Sequence, residues 1–412
     1  MNQEPTPAMT DPTTPPSSHP TTPPSSHPTT PPSSRRTRLR RRIVVAVTGL
    51  LVLALTAASG ALWLLTGKLL HPTDDTPLNT RVIAVGAATV TLPATDESRY
   101  TGTYGLVWQD SGSAQRRSGE LGRVLASDGK TVTRELQATT PPAVGAKAKI
   151  IVTVWNSDPR RAVGLDYQDV SYPGDLGPMP AWYLPGSRST WVIQVHGLGA
   201  GRSAGLRTMP GLHDLGYPIL DITYRNDPGA PRDSNGNRQL GNTEWRDLDA
   251  AVRYARAHGA SGVVLYGFSM GGAIVENYLQ RAQDTSAVRS VVLDSPALDY
   301  RAAIDTIATG LGLPFPIADL TAPFIRFRAG VDLDQVDTLA ANRRNGGPEQ
   351  PVLLFHGTAD TLVPYAGSAR FARDWPDKVR LVTVPGAGHT GSWNADPARY
   401  DKELADFLGQ HS

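Results

Sequence analysis

The pattern of apolar and polar positions divides the 412-residue chain into four regions. Residues 1–42 are rich in proline, serine and threonine and end in arginines, whereas residues 43–67 form an apolar run without a charge. Residues 78–160 contain short apolar alternations separated by Gly, Asp and Pro, which indicates a small β-rich domain, either a sandwich or an open barrel. From 163 to 412, runs of strand length alternate with helical patterns, which predicts an α/β fold with a mostly parallel sheet.

The elements of this last region are predicted in a regular order. An amphipathic helix is expected over 243–259 and a terminal helix over about 397–408, and an insertion over 297–350 has apolar, helical content. Strands are expected at 168–171, 181–184, 191–195, 218–224, 263–266, 288–293, 351–355 and 379–384.

The N-terminal tail is repetitive. Thr-Thr-Pro-Pro-Ser-Ser-His-Pro occurs at 13–20 and at 21–28, and a truncated copy fills 29–34. A repeat of this composition cannot bury a core, so residues 1–42 are predicted to be a disordered tail that ends in the arginine cluster.

The apolar run at 43–67 is long enough to cross a membrane, because about 20 helical residues span the hydrocarbon layer. Six arginines precede it, from Arg35 to Arg42, and Lys68 lies just after it. This asymmetry predicts a single-pass anchor of the cell membrane with a cytoplasmic N-terminus and an extracytoplasmic domain of 163–412. The alternative is a cleaved signal peptide, since 57–61 offers small residues, but the apolar run exceeds the about 7–15 residues expected of one.

Composition excludes several kinds of chemistry. The formal charge is +2, from 40 basic and 38 acidic residues, and the arginines before residue 43 account for the basic excess. No basic stripe interleaved with aromatic residues follows, so no nucleic-acid partner is expected. The chain has no cysteine, which excludes disulfides, thiol catalysis and cysteine-ligated metals.

The strongest motif is Gly267-Phe268-Ser269-Met270-Gly271, between a predicted strand and a helical pattern. Gly-x-Ser-x-Gly in this context is typical of a nucleophile elbow, in which a strained turn lifts the serine hydroxyl out of the sheet. The glycines leave room where a Cβ would collide with the neighbouring strand and helix. The N–H of Met270, at the helix N-terminus, is the expected oxyanion donor. Alone, the motif could equally be a Gly-rich turn with a surface serine.

Three further loops supply the partners that the motif needs. His196-Gly197-Leu198-Gly199 follows a predicted strand, and the N–H of Leu198 is the expected second oxyanion donor. Asp360 follows a later strand, and His389 lies in a Gly-rich loop after the last strand. We therefore predict a catalytic triad of Ser269, Asp360 and His389, in the chain order expected for this chemistry.

Each triad position has an alternative. Asp294, after the strand at 288–293, is the rival for the acid. His196 is an alternative base, but it precedes the nucleophile and is expected to hold its loop by hydrogen bonds. His356, close to Asp360 in sequence, is interpreted as a structural loop residue.

These motifs identify a resemblance. Residues 163–412 resemble the α/β-hydrolase superfamily, and within it the membrane-anchored hydrolases of esterase and dipeptidyl-peptidase type. The resemblance implies a Ser-His-Asp triad without a metal or organic cofactor, and it places a lid at the insertion 297–350, although these residues could equally only cover the sheet. The matching residues are His196-Gly197-x-Gly199, Gly267-x-Ser269-x-Gly271-Gly272, Gly357-x-x-Asp360 and Gly388-His389.

The predicted function is that of a membrane-anchored serine hydrolase, which cleaves a carboxylic ester of a small-molecule or peptide acyl substrate through an acyl-enzyme. A peptidase or an acyltransferase on the same triad is the nearest alternative, and a non-catalytic binding or scaffold protein is the other. No catalytic constellation is found in 78–160, so this region is predicted to be a spacer or support, with substrate guidance as the alternative. The substrate-binding residues and the acyl group stay open.

Overall fold

A computed structural model describes residues 35–71, 77–313 and 315–412, so the predicted repeats of the tail lie outside the described residues. The first described element is helix α1 (Arg35–Leu70). Its stretch from Thr37 to Gly67 is long and apolar enough to cross a membrane. The large apolar side chains of this stretch are mostly exposed, as expected of a helix that meets lipid.

The boundaries of α1 differ from those predicted. The helix includes residues 35–42, so the assignment of the arginine cluster to a disordered tail is wrong for these residues. Arginine has a high helix propensity, and a helix formed by the apolar run extends back through the cluster. At the other end the helix continues to Leu70, three residues beyond the predicted limit at Gly67.

Residues 80–151 form an antiparallel barrel. Its strands are β1 (Thr80–Arg81), β2 (Ala84–Val85), β3 (Thr89–Pro93), β4 (Tyr104–Gln109), β5 (Arg116–Ser127), β6 (Thr131–Gln137) and β7 (Lys147–Ile151), and helix α2 (Asp96–Arg99) follows β3. The strand order is β1-β7-β4-β5-β6-β3-β2. The two ends of this order are joined, because the N–H of Val82 donates to Ala146 (3.0 Å) and that of Ile83 to Thr91 (2.8 Å). The β-rich domain is therefore present, and its form is a barrel with joined ends, which differs from the predicted sandwich or open barrel.

After helix α3 (Pro159–Val163), the chain forms an eight-stranded sheet with helices on both sides. The strands are β8 (Gln168–Gly174), β9 (Gly177–Leu184), β10 (Thr190–Val195), β11 (Ile219–Ile222), β12 (Gly262–Phe268), β13 (Val288–Asp294), β14 (Val352–Gly357) and β15 (Val379–Val384). The helices are α4 (Met209–Asp214), α5 (Trp245–Ala257), α6 (Met270–Arg281), α7 (Tyr300–Gly310), α8 (Ala318–Ala329), α9 (Thr338–Asn345), α10 (Tyr365–Asp374), α11 (Ser392–Ala395) and α12 (Pro397–His411).

The order of the sheet is β15-β14-β13-β12-β10-β11-β9-β8. The strands from β10 to β15 pair in parallel, and only the hairpin of β8 and β9 runs antiparallel to its neighbours. All eight predicted strands and both predicted helices are found, with ends that differ by a few residues. The predicted α/β architecture is confirmed.

Side chains alternate between two cores across the central strand β12. Val263 and Leu265 pack with α5 and α6 on one side of the sheet, whereas Val264 and Tyr266 pack with α4 and α12 on the other. Every residue of β12 is buried, as expected of a central parallel strand with both faces covered. This rigid strand leads directly into the turn at Ser269.

The barrel is joined to the α/β domain by buried hydrogen bonds. The amide of Asn394 donates to the carbonyl oxygens of Thr103 (2.6 Å) and Val152 (2.9 Å) in the barrel. Arg207, which is buried, donates to Val152 (3.0 Å) and to the side-chain oxygen of Asn394 (3.1 Å). Gly102 fits against the same residue, because a Cβ there would lie 1.9 Å from the Asn394 carbonyl oxygen. We refer to Gly102, Thr103, Val152, Arg207 and Asn394 as the junction.

Candidate active site

Ser269 lies on the turn between β12 and α6. Its φ of 52° falls in the left-handed region that non-glycine residues rarely adopt, with a ψ of −115°. Three backbone hydrogen bonds hold the turn: the N–H of Ser269 donates to Asp294 (2.9 Å), and its carbonyl accepts from Gly272 (2.9 Å) and Ala297 (3.1 Å). This is the strained geometry predicted for a nucleophile elbow.

Two glycines make the turn possible. A Cβ on Gly271 would lie 2.0 Å from the carbonyl oxygen of Val195 in β10, and a Cβ on Gly267 would lie 2.6 Å from the nitrogen of Gly272. Both neighbours are backbone atoms of packed elements and cannot move aside. Glycine is therefore required at both positions for α6 to approach the sheet.

The structure brings Ser269, His389 and Asp360 together. His389 Nε2 lies 2.8 Å from Ser269 Oγ, and His389 Nδ1 lies 2.7 Å from Asp360 Oδ2. With a neutral ring, the serine hydroxyl donates to Nε2 and the Nδ1–H donates to the carboxylate. A hydroxyl that faces a base, with the base oriented by a third group, is the arrangement that nucleophilic acyl transfer requires.

The carboxylate of Asp360 is enclosed by hydrogen-bond donors. Oδ1 accepts from the N–H groups of Leu362 and Val363, both at 2.9 Å, and Oδ2 accepts from His356 Nε2 at 3.1 Å. Burial alone would raise the pKa of Asp360, but the hydrogen bonds from His356 and His389 outweigh it and hold that pKa well below its usual range. Asp360 is therefore ionised at neutral pH.

His356 has a more specific place than a loop residue. It is fully buried, and Nε2 faces two acceptors, Asp360 Oδ2 and the Val363 carbonyl oxygen (3.1 Å), so this nitrogen carries the hydrogen. Nδ1 lies 2.7 Å from the hydroxyl of Ser368, which donates to it. Sequence reasoning left His356 out of the site, although its place four residues before Asp360 was a usable signal.

Asp294, the rival acid, has other partners. It is buried, and its carboxylate accepts from Ser295 Oγ (3.1 Å) and Tyr400 Oη (3.3 Å), with Arg207 Nη2 at 3.9 Å. Burial raises the pKa of Asp294, and Arg207 only partly opposes this. The imidazole of His389 is bonded to Asp360, so the geometry favours Asp360 as the third member.

The loop at 196–199, which we call the oxyanion loop, is held by a buried polar cluster. His196 Nε2 lies 2.7 Å from Asp227 Oδ2, and Nδ1 lies 2.9 Å from the Gly197 carbonyl oxygen. Burial would lower the pKa of His196, but the Asp227 carboxylate raises it above the usual value. His196 thus supports the loop, as expected, whereas its partner Asp227 was not predicted.

The two predicted oxyanion donors flank the serine. Met270 is the first residue of α6, so its N–H has no acceptor within the helix. A Cβ on Gly197 would lie 2.9 Å from Ser269 Cβ, which shows how closely the oxyanion loop passes the serine just before Leu198. Leu198 also lines the cleft described next.

An open cleft of about 340 Å³ lies beside His389. One wall is formed by the α/β domain, through Leu198, Leu362 and His389. The other wall belongs to the barrel and its loops, and consists of Glu97, Tyr100, Tyr104, Lys149, Ile150, Ile151, Val152 and Thr153. The region predicted to be a spacer or support therefore forms half of the cleft.

The insertion 297–350 was predicted to be helical and to hold a lid. It is helical, as predicted, and contains α7, α8 and α9. However, none of the described residues that line the cleft beside His389 comes from it. The expectation of a lid at 297–350 stays a prediction, while the barrel, joined to the α/β domain at the junction, lines one side of this cleft.

No group of three or more His, Asp or Glu side chains with metal-binding geometry occurs among the described residues. The polar side chains around Ser269 are instead bonded to one another.

Comparison with known proteins agrees with this geometry. Residues 208–412 match the prolyl oligopeptidase family, and residues 81–150 match a domain of unknown function, DUF8805. The fold is similar to that of the Pyrococcus furiosus esterase Pf2001, with a TM-score of 0.50 and 21% identity over 63% of this chain and 95% of that one. The protein is a serine hydrolase of the α/β-hydrolase fold. The predicted resemblance to the α/β-hydrolase superfamily is thus confirmed.

The hydrolase is also similar to bacterial proteins whose descriptions assign no activity. It is 22% identical over 240 residues to Escherichia coli YfhR, covering 56% of this chain and 76% of that protein. It is 26% identical over 216 residues to a Mycobacterium tuberculosis protein, covering 50% and 66%. The chemistry of the hydrolase therefore follows from the geometry of its own site.

Proposed function

We propose that the hydrolase cleaves a carboxylic ester with Ser269 as nucleophile, His389 as general base and Asp360 as the acid that orients it. The observation that carries the proposal is the hydrogen-bonded series from Ser269 Oγ through His389 to Asp360 Oδ2, at 2.8 and 2.7 Å. The middle member of the series, His389, lines an open cleft that can hold an acyl substrate next to the triad.

The reaction follows from these positions. His389 Nε2 takes the proton as Ser269 Oγ attacks the acyl carbonyl, and Asp360 stabilises the imidazolium that forms. The N–H groups of Met270 and Leu198 bind the oxyanion, and each contributes about 3 kcal/mol at the transition state. His389 then protonates the leaving alcohol, and water repeats the attack on the acyl-enzyme.

The size and lining of the cleft favour a small ester. A volume of about 340 Å³ is at the lower end for small-molecule sites. Tyr100, Tyr104, Ile151 and Leu198 present aromatic and aliphatic surface to the acyl or leaving group. A partly apolar ester fits this lining.

Peptide hydrolysis is the second candidate. The match of residues 208–412 to the prolyl oligopeptidase family favours it, and the same three side chains would cleave an amide by the same route. Transfer of the acyl group to an alcohol instead of water is a further variant of this chemistry.

Covalent labelling tests the proposal. A fluorophosphonate probe should label the full-length protein in detergent, and Ser269→Ala should abolish labelling and reduce turnover by about 10⁶. Ser111→Ala, at an exposed barrel serine, should leave labelling unchanged. Unlabelled wild-type protein would indicate a non-catalytic scaffold. 4-Nitrophenyl esters of increasing acyl length, compared with aminoacyl 4-nitroanilides, then separate an esterase from a peptidase.

We also propose that α1 anchors the hydrolase in the cell membrane, with the arginine cluster in the cytoplasm and the catalytic domain outside. Support comes from the exposed apolar surface of α1 and from the arginines at its start. Protease added to intact cells should degrade the catalytic domain. Protection of that domain until the cells are lysed would contradict this topology.

A further inference from the structure

A second cavity, of about 330 Å³, adjoins the cleft beside His389. Ile151, Gly199 and Ala200 line both spaces, so the second cavity opens next to the oxyanion loop. A substrate whose carbonyl lies at Ser269 can therefore extend into it. The mechanism above assigns no role to this cavity.

The second cavity is lined by positive charge. Arg202 follows the oxyanion loop, Arg238 belongs to the long loop before α5, and Arg116 is contributed by β5 of the barrel. The carboxylate among the described lining residues is Asp227. Its Oδ2 already accepts from His196 Nε2 (2.7 Å) and from the N–H of Tyr224 (3.2 Å), so this oxygen is occupied by hydrogen bonds within the α/β domain.

Arg238 is a buried cation with incomplete bonding. Its side chain belongs to a residue that is only 3% exposed. Nη1 donates to the His71 carbonyl oxygen (3.0 Å), whereas the buried Nε has no acceptor among the described residues. No carboxylate of the described residues forms an ion pair with it. A buried charge without a counter-ion is destabilising, and a bound anion would offset this cost.

Arg202, which also lines the cavity, has an unused donor as well. Its guanidinium lies 4.3 Å from the centre of the Trp182 ring, which holds it in place. Nη1 is buried and has no hydrogen-bond acceptor in the described part of the chain. Its ion pair, with the exposed carboxylate of Asp169, is long at 3.7 Å. Two guanidinium groups that line one cavity thus keep unused donors.

The oxyanion loop connects these cations to the nucleophile. Gly197 is the residue that approaches Ser269, and a Cβ on Gly199, two residues later, would lie 3.7 Å from Arg238 Nη2. An anion at Arg238 is therefore within the reach of a short acyl or leaving group attached at Ser269. Guanidinium groups bind carboxylates and phosphates through paired hydrogen bonds, which suits a terminal anionic group.

We propose that Arg238 and Arg202 form an anion-binding subsite in the second cavity, and that the substrate is an ester with a carboxylate or similar anionic group close to its scissile carbonyl. This inference rests on the proposed ester hydrolysis at Ser269. It specifies the substrate class, which neither the motifs nor the relatives provide.

Matched esters test the subsite with the full-length enzyme. Mono-4-nitrophenyl adipate and 4-nitrophenyl hexanoate share a six-carbon acyl chain and differ by a terminal carboxylate. 4-Carboxyphenyl hexanoate and phenyl hexanoate place the same difference on the leaving group. In at least one pair we expect kcat/KM to favour the anionic ester about 10- to 100-fold, the range of one or two charge-assisted hydrogen bonds, mainly through KM.

Variants assign the effect to the two arginines. Arg238→Gln and Arg202→Gln should each reduce the preference at least tenfold, whereas Arg232→Gln, an exposed arginine of the same loop as Arg238, should leave it unchanged. If Arg238→Gln does not fold, free adipate should still bind wild-type enzyme in calorimetry and inhibit hexanoate hydrolysis competitively, with weaker inhibition of Arg202→Gln.

The outcomes separate the two proposals. Hydrolysis of the neutral esters without preference for either anionic ester would overturn the subsite and leave the proposed function intact. Absence of labelling and hydrolysis would overturn the function, and failure of adipate to bind would overturn the subsite independently. A double variant, Asp74→Asn with Asp75→Asn, changes two carboxylates outside the described residues. Adipate binding that appears only in this variant would show that the chain's own carboxylates neutralise the arginines. That result would also overturn the subsite.

Discussion

His356 Nε2 lies 3.1 Å from Asp360 Oδ2, the oxygen that also accepts the hydrogen bond from His389. The imidazoles of His389, the base, and of His356, at the end of β14, thus bind the same oxygen of Asp360. Because His356 is fixed in turn by Ser368, the orientation of the triad acid is set from the core of the domain and not by the surface loop alone.

Loss of His356 should reduce turnover without preventing folding. In His356→Gln the hydrogen bond to the ionised Asp360 is lost or misplaced, and such bonds contribute about 1.5–3 kcal/mol, so kcat should fall about 10- to 100-fold while KM changes little. Steady-state kinetics with 4-nitrophenyl hexanoate measure both constants. Ser368→Ala should have a smaller effect of the same kind, and wild-type kcat in both variants would show that His356 only fills space.

The elbow glycine Gly271 should be intolerant of the smallest substitution. A Cβ at this position would lie 2.0 Å from the Val195 carbonyl oxygen, so Gly271→Ala must displace α6 or β10 and should cost about 3 kcal/mol or more. Gly367→Ala is the matched control, because this helical glycine has nothing within 4 Å of the added Cβ and should be neutral or slightly stabilising. Thermal unfolding compares them, and equal midpoints would refute the steric argument.

The junction should be a main source of coupling between the barrel and the α/β domain. Asn394→Ala removes the hydrogen bonds to Thr103, Val152 and Arg207 and leaves buried polar groups without partners, which should destabilise the protein by about 3 kcal/mol. Limited proteolysis should then release the barrel at lower temperature than in wild type. Asn345→Ala, at an exposed asparagine, serves as the reference. Unchanged protease resistance would argue against this coupling.

Stability should fall as the pH rises through the range in which Glu276 titrates. Burial raises its pKa from 4.5 to about 7, although Asn342 donates to it at 2.7 Å. Between these two values the folded state binds more protons than the unfolded state, so the stabilisation is complete below pH 4.5 and is lost as the pH rises through about 7.

Glu276→Gln should remove this dependence and stabilise the protein at pH 8 by up to about 3 kcal/mol, since each unit of pKa corresponds to about 1.4 kcal/mol. Denaturant unfolding at pH 5 and pH 8 measures the difference, with Glu349→Gln at an exposed position as control. A slope against pH that survives in Glu276→Gln would assign it to other groups.

The fold and the candidate triad could be predicted from the sequence where short stretches of residues determine the structure. The run at 263–266, the spacing of Gly267, Ser269 and Gly271, and the placement of Asp360 and His389 after strands follow from short-range rules of strands, turns and parallel sheets. Chain order then brings the three side chains to one edge of the sheet. For this reason the fold and the geometry of the candidate triad were predictable without a structure.

Contacts between distant segments could not be predicted. Tyr100 reaches Gly388, and Asn394 reaches Thr103, only because the barrel is packed onto the α/β domain, and nothing in either segment encodes the other. The unused donors of Arg202 and Arg238 are visible only once burial and partners are known. The sequence therefore predicted the candidate nucleophile but not the wall that the barrel adds to the cleft.

The junction also determines what can be admitted to Ser269. Arg207 and Asn394 are buried and hydrogen-bonded across the junction, so the barrel is held in place over the cleft. We therefore expect the width of the cleft entrance to stay the same for different substrates. Substrates are then selected by their size before their chemical groups meet the triad. We therefore expect the site to admit small molecules and extended chain ends and to exclude folded proteins.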